Sequence, residues 1–288
     1  MEPTIAPARG GGGILRSLPP VVLVLGSISS TQIGAALAKD IFPIIGTRAT
    51  VFLRVGSAAL LLLAVARPRW SGEWRRHIGV VALFGTILAV MNFMFYTALS
   101  KVPLAVAVTV EFTGPLGVAV AGSRRARDLV WVVLAAAGIL LLSPIEAHDV
   151  DPVGIAYALG AGVCWAAYII VGARMGRKLE GGDALAVAMT IAAALLVPFG
   201  AAGVIHGGTP TLIAIGCVVG LLSSALPYSL EVEALRRLPT RVFGIWMSLE
   251  PAIAAIAGFL MLGEHLGWPA VVALVLITIA SAGSAAWG

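Results

Sequence analysis

Apolar runs alternate along this chain with short polar connections. The runs lie near 20–39, 46–66, 77–99, 103–122, 129–145, 152–173, 184–205, 209–231, 240–262 and 268–287. A bilayer span needs roughly 20 mostly apolar residues. Lipid offers backbone amides no partner, whereas a helix satisfies its own. The pattern therefore predicts ten transmembrane helices, spans 1 to 10. No connection is long enough for a soluble catalytic or receptor domain, so the function is expected inside the membrane.

Charge on the connections alternates too. Arg9, Arg16, Arg67, Arg69, Arg75, Arg76, Arg124, Arg125, Arg127, Arg174, Arg177, Lys178, Arg236, Arg237 and Arg241 fall in the leader or in even-numbered connections, which makes 15 of the 19 Lys and Arg residues. Odd-numbered connections hold Lys39, Arg48 and Lys101, and the one at 146–151 holds none. Basic connections stay on the cytoplasmic side, so both termini are expected there. This topology signal also accounts for the net charge of +5, which suits anionic lipid headgroups and needs no nucleic-acid partner.

Composition agrees. Of 288 residues, 59% are hydrophobic and 11% charged, with mean hydropathy +1.01, whereas charged residues make up about a quarter of a soluble domain. Cys164 and Cys217 lie in apolar runs without metal-ligand spacing and read as small buried hydrophobes. Trp70, Trp74 and Trp268 read as interfacial anchors.

The chain also repeats itself. "ALSKVP" (98–103) returns as "ALRRLP" (234–239), and the same offset of 136 residues carries Pro115 to Pro251 and Ala119, Ala121 and Gly122 to Ala255, Ala257 and Gly258. Two five-span units follow, at 20–145 and 152–287, behind a cytoplasmic leader at 1–19. Five is odd, so the second unit enters the membrane inverted, an arrangement many transporters use with a site at mid-depth between the halves. The expected fold is thus an all-α membrane protein of two inverted five-helix repeats. Helix kinks are expected at Pro115, Pro227 and Pro251, where proline removes a backbone hydrogen bond.

Ionisable residues within spans are costly and usually face a bundle interior or a wet cavity. Glu111 precedes Pro115 by four residues, Glu250 precedes Pro251 by one, and Arg54 lies mid-span in "FLRVGSAA". Burial and a nearby arginine push a carboxyl group's proton affinity in opposite directions, which makes Glu111 a candidate proton carrier. The competing reading pairs Glu111 or Glu250 with Arg54 as a structural ion pair. Ser30 and Gln32 in span 1, Asn92 and Tyr96 in span 3, Trp165 and Tyr168 in span 6, and Tyr228 in span 8 complete the candidate cavity lining. Hydroxyl and amide side chains also join helices to each other. Glu231 and Glu233 stand near the end of span 8, and Glu233 is placed to pair with Arg237 one helical turn on. Gly154, Ala158, Gly162 and Ala166 recur every four residues in span 6, the pattern of a close helix seam. There is no P-loop, zincin or nucleophile-elbow motif, so no enzyme activity, cofactor or metal is expected.

The stretches "GAALAKDIFPIIG" (34–46), "VEFTGPLGVAV" (110–120), "RDLVWVVLAAAGILLL" (127–142), "ALGAGVCWAAYI" (158–169) and "SSALPYSLEVEALRRLPTRVFGIWMSLEPAIAAIAGFLMLGE" (223–264) resemble the drug/metabolite transporter superfamily. Within it the chain looks like the EamA-type ten-helix exporters, most of all the threonine/homoserine exporter branch, with aromatic amino acid exporters related. The resemblance implies a central cavity lined by spans 1, 3, 4, 6, 8 and 9 and export of amino acids across the bacterial inner membrane. Glu111 with Pro115, and Glu250 with Pro251, stand at its matching positions. The expected partners are an amino acid substrate and membrane lipids, with a proton as candidate coupling ion and the protein a monomer. Export of another metabolite or drug by the same fold is the alternative.

Overall fold

The structure, a computed structural model, describes residues 15, 17–39, 41–69, 72–102, 104–122, 126–142, 151–179 and 182–262, with a few positions between 268 and 280. The 1–14 leader, Trp70, the 143–150 connection and most of span 10 lie outside the described residues.

Among the described residues every element is helical. Span 1 is α1 (Pro20–Lys39), followed by a short α2 (Phe42–Ile45). Span 2 is α3 (Thr47–Ala66), and span 3 is α4 (Ile78–Leu99) behind a 3₁₀ turn (Glu73–His77). Span 4 is broken into α5 (Leu104–Glu111) and α6 (Thr113–Gly122), and span 5 is α7 (Ala126–Leu142). Span 6 is α8 (Pro152–Lys178) and span 7 is α9 (Asp183–Gly207). Span 8 runs through α10 (Pro210–Gly220), a π turn (Leu221–Ala225) and α11 (Leu226–Arg237). Span 9 is broken into α12 (Thr240–Met247) and α13 (Glu250–Leu262). Thr47–Ala66, Glu73–Leu99, Pro152–Lys178, Asp183–Gly207 and Pro210–Arg237 are long and apolar enough to cross a membrane.

The three prolines singled out above act in one way. Each lies in the first turn of the helical segment that follows an interruption, a position that proline tolerates. Pro115 is third in α6, Pro227 second in α11 and Pro251 second in α13. Immediately upstream the ladder is interrupted, at Phe112, at the π turn and at Ser248–Leu249.

Small residues set how closely the helices approach. A Cβ on Gly114 would stand 2.0 Å from the Gly162 carbonyl oxygen, and one on Gly162 would stand 2.7 Å from that of Glu111. Real side chains do not come so near, so α8 lies backbone-to-backbone against the break in span 4. The four-residue ladder in span 6 thus holds the cavity wall, with Gly154 against Lys101 and Val102 further along. Helices α3 and α9 meet along Gly200 and Gly203, which face Arg48, Ala49 and Phe52.

Buried side chains gather between α1, α3, α4, α8, α9 and α11, among them Ile28, Val55, Phe84, Tyr168, Met189 and Leu235. Leu60, Val65, Val163, Phe199 and Ile205 point outward and exposed. An apolar exterior of this kind suits a lipid solvent.

Two expectations need correcting. Trp74 is buried, its indole Nε1 donating to the Arg69 carbonyl at 3.1 Å, because the 3₁₀ turn folds it back onto the chain instead of outward. Cys217 is exposed and Cys164 partly so, since α10 turns Cys217 away from the packed side.

Candidate functional site

A cavity of about 360 Å³ lies among the helices, within the usual range for small-molecule sites. Gln32, Arg54, Asn92, Tyr96, Glu111, Trp165, Tyr228 and Glu250 line it, so most sequence-predicted residues meet at one place. Ser30 and Tyr168 do not line it. The Ser30 hydroxyl donates to the Leu222 carbonyl at 2.5 Å. Tyr168 is fully buried against Phe84, with ring centroids 5.0 Å apart. Both fasten the wall from behind.

Interruptions in the ladder supply the wall's polarity. Proline 227 has no N–H to offer the carbonyls four and five residues back, Ser223 and Leu222. Arg54 Nη2 donates to the Ser223 carbonyl and Ser30 to that of Leu222. Arg54 Nε also donates to Ser224 Oγ at 2.7 Å, and Nη1 to the Tyr96 hydroxyl at 2.7 Å. The expected ion pair of Arg54 with a carboxylate does not form: these partners are all neutral oxygens, and among the described residues no carboxylate lies within ion-pair distance of it. The π turn presents Ser223 and Ser224 to the guanidinium first.

Glu250 opens α13, where the positive end of the helix dipole favours a carboxylate. Gln32 Nε2 donates to its Oε1 at 3.1 Å. Its Oε2 is buried without a partner, the one such side-chain oxygen or nitrogen among the described residues. Glu111 ends α5 at the break in span 4, and Phe112 beside it meets the Trp165 ring edge-on at 5.2 Å. Asn92 Nδ2 donates to the Leu88 carbonyl at 2.8 Å and to the Tyr228 hydroxyl at 3.0 Å.

Glu231 is a lining residue that its place near a charged helix end concealed. It accepts from Ser27 Oγ at 2.5 Å and from the Tyr168 hydroxyl at 2.7 Å. The signal that could have found it is spacing: Ser224, Tyr228 and Glu231 follow an i, i+4, i+7 pattern on one helix face. Glu233 behaves as expected, paired with Arg237 and with Arg236 at 2.6 Å.

The two ends of the bundle are tied differently. At one, Arg237 donates to the Leu15 and Leu18 carbonyls at 2.8 and 2.9 Å, while Arg236 donates to those of Gly176 and Leu179 at 2.9 and 2.7 Å. These bonds join span 8 to spans 1 and 6. At the other, Lys101 Nζ meets Asp151 Oδ2 at 3.0 Å. Asp151 Oδ1 also accepts from the Val153 amide at 2.8 Å and caps α8. The hydrogen bond from Lys101, then the one from Val153, hold the Asp151 carboxyl below its ordinary range. The cavity reaches toward this second end, past Phe95, Leu99 and Val102.

Comparison with known proteins places these features. Residues 152–285 match the EamA-like transporter family profile. The threonine/homoserine exporters RhtA of Escherichia coli (strain K12) and Salmonella typhimurium (strain LT2) are 44% identical over 282 residues, covering 94% of this chain and 94% of theirs. An uncharacterized transporter of Bacillus subtilis, YwfM, is 27% identical over 73% of this chain and 74% of its own. A solved crystal structure of a protein shares the fold with a TM-score of 0.67 at 18% identity, covering 91% of this chain and 95% of that one.

Proposed function

Because the chain belongs to the EamA-like transporter family, in the RhtA-like branch of the drug/metabolite transporter superfamily, we propose that it exports amino acids from the cytoplasm by alternating exposure of its central cavity. The observation that carries this reading is the cavity itself, where Glu250, Glu111, Arg54, Gln32 and Asn92 converge among apolar walls. Charges at mid-bilayer are retained where they serve a path. The names of the 44% identical relatives point to threonine and homoserine as first substrates to try.

Two inverted repeats underlie the cycle. In support, α3 and α9 begin at Thr47 and Asp183, and α5 and α12 at Leu104 and Thr240, each pair 136 residues apart. Asn92 and Tyr228, hydrogen-bonded to each other, are separated by the same 136. Residues equivalent under a twofold operation touch only near its axis. Spans 3 and 8 therefore cross at the proposed axis, and rocking of one half against the other alternately opens each end. The Arg236–Arg237 end is cytoplasmic in this reading, and the Lys101–Asp151 end, toward which the cavity reaches, faces out. Glu111 is the proposed proton carrier, and the monomer the working unit in the inner membrane.

Counterflow tests the reading. The full chain, reconstituted in liposomes loaded with threonine, should accumulate labelled threonine and homoserine, and a pH gradient should drive net flux. No exchange of any amino acid would overturn it. Impermeant thiol reagents applied to single-cysteine variants in the 146–151 and 174–178 connections should label the first from outside only; the reverse pattern would invert the orientation.

A further inference from the structure

The cavity wall carries one guanidinium, Arg54, and three carboxyl groups, Glu111, Glu231 and Glu250; among the described residues none of the three is ion-paired with Arg54, and Glu250 alone has a buried oxygen without a partner. Glu250 is 9% exposed; its Oε1 is engaged by Gln32 and its Oε2 by nothing among the described residues. Buried polar oxygens are normally paired, and each exception calls for an explanation. Arg54 is 7% exposed, and its three hydrogen bonds go to Ser224, Tyr96 and the Ser223 carbonyl, all neutral. A guanidinium has five N–H donors, so the three bonds fix its plane and leave capacity toward the cavity. Buried charge is ordinarily paired. Here both charges line one cavity, held on rigid partners from different spans.

We infer that these are the two poles of a zwitterion clamp: Glu250 Oε2, steadied by Gln32, receives the substrate's α-ammonium group, and Arg54, braced on the π turn, receives its carboxylate. The inference rests on reading the cavity as the amino-acid transport site and adds which group meets which end. An ammonium group supplies the donor that Oε2 lacks. A carboxylate supplies the anion that Arg54 lacks, and planar guanidinium suits it better than a lysine ammonium would. Specificity follows from the cost of leaving either pole unpaired in a low-dielectric site. Molecules with only one of the two charges are rejected, and the side chain of the substrate is left to the apolar wall.

Threonine counterflow in proteoliposomes of the full chain, competed by threonine, N-acetylthreonine and threoninamide, tests the assignment. Wild-type protein should be inhibited at least about tenfold more weakly by either analogue than by threonine, the loss expected when one charged hydrogen bond goes unmade. In Glu250→Gln the preference for threonine over N-acetylthreonine should shrink to within about threefold while the preference over threoninamide persists. In Arg54→Gln the two should change places, and Arg54→Lys should retain part of the discrimination. Arg54 also braces the π turn, so thermal melting of each variant and threonine-induced stabilisation in detergent serve as the second readout. If Arg54→Gln does not fold, Glu250→Gln alone decides the matter. Wild-type discrimination preserved in Glu250→Gln, or absent from wild type, overturns the clamp while leaving amino-acid export standing. Absence of any amino-acid counterflow overturns both.

Discussion

Asn92 and Tyr228 meet at the cavity wall, the amide donating to the phenol at 3.0 Å, and they stand 136 residues apart. The bond ties span 3 to span 8 at the place where the two halves of the sequence come into register.

Tyr228→Phe removes that hydroxyl and keeps the ring. Asn92 then keeps only the Leu88 carbonyl as acceptor, in a buried setting. The expected cost is about 1–3 kcal/mol, as for a buried polar group that loses a partner. A melting curve of the purified variant, followed by fluorescence, checks it. An unchanged midpoint would mean that water replaces the hydroxyl.

Glu111→Gln is isosteric and neutral. It should insert and melt like the parent while threonine efflux driven by a pH gradient falls to near background. Gradient-free counterflow separates the roles: retained exchange with lost drive marks a proton carrier, and wild-type flux in both assays removes Glu111 from the mechanism.

Gly162→Ala places a methyl group 2.7 Å from the Glu111 carbonyl. Neither backbone there has room to yield, so the helices must separate, at about 1–3 kcal/mol or more. Gly117→Ala, whose Cβ meets nothing within 4 Å, is the control on the facing helix α6 and should be close to neutral in detergent melts.

Asp151 gives a pH signature outside the membrane. Its carboxyl is held below the ordinary value of 3.8, chiefly by Lys101. A depressed carboxyl stabilises the fold above its unfolded-state value, and that support is lost as pH falls through its folded value. The cap on α8 should therefore persist through the usual aspartate range and fail only at lower pH. Lys101→Ala should move the titration upward, read by ¹³C resonances of the labelled carboxyl. Titration of Asp151 at the ordinary value in wild type would contradict the contact.

Much of the architecture is readable from the chain because lipid simplifies the grammar. Polar residues such as Gln32, Asn92 and Glu250 stand out against an apolar run, and they do meet at one cavity. Proline punctuation at 115, 227 and 251 likewise marks where helices restart. Glu231 escaped because it lies two residues from a surface-like Glu233, and primary structure does not tell which helix face turns inward there. Partners of Arg54 were illegible for another reason. They lie 42, 169 and 170 residues away, and the two carboxylates of spans 4 and 9 looked like better candidates than neutral oxygens. Trp74 misled because a tryptophan near a span end looks alike whether it meets headgroups or folds back.

The π turn at Leu221–Ala225 is a dislocation in an otherwise regular rod. The offset it introduces brings Ser223 and Ser224 to Arg54, and Pro227 pins it in place by withholding the N–H that would heal it. Binding chemistry is thus stored in a fault of the backbone as much as in side chains. A substitution that mended the fault would erase the receptor for the guanidinium while every residue of the wall kept its identity.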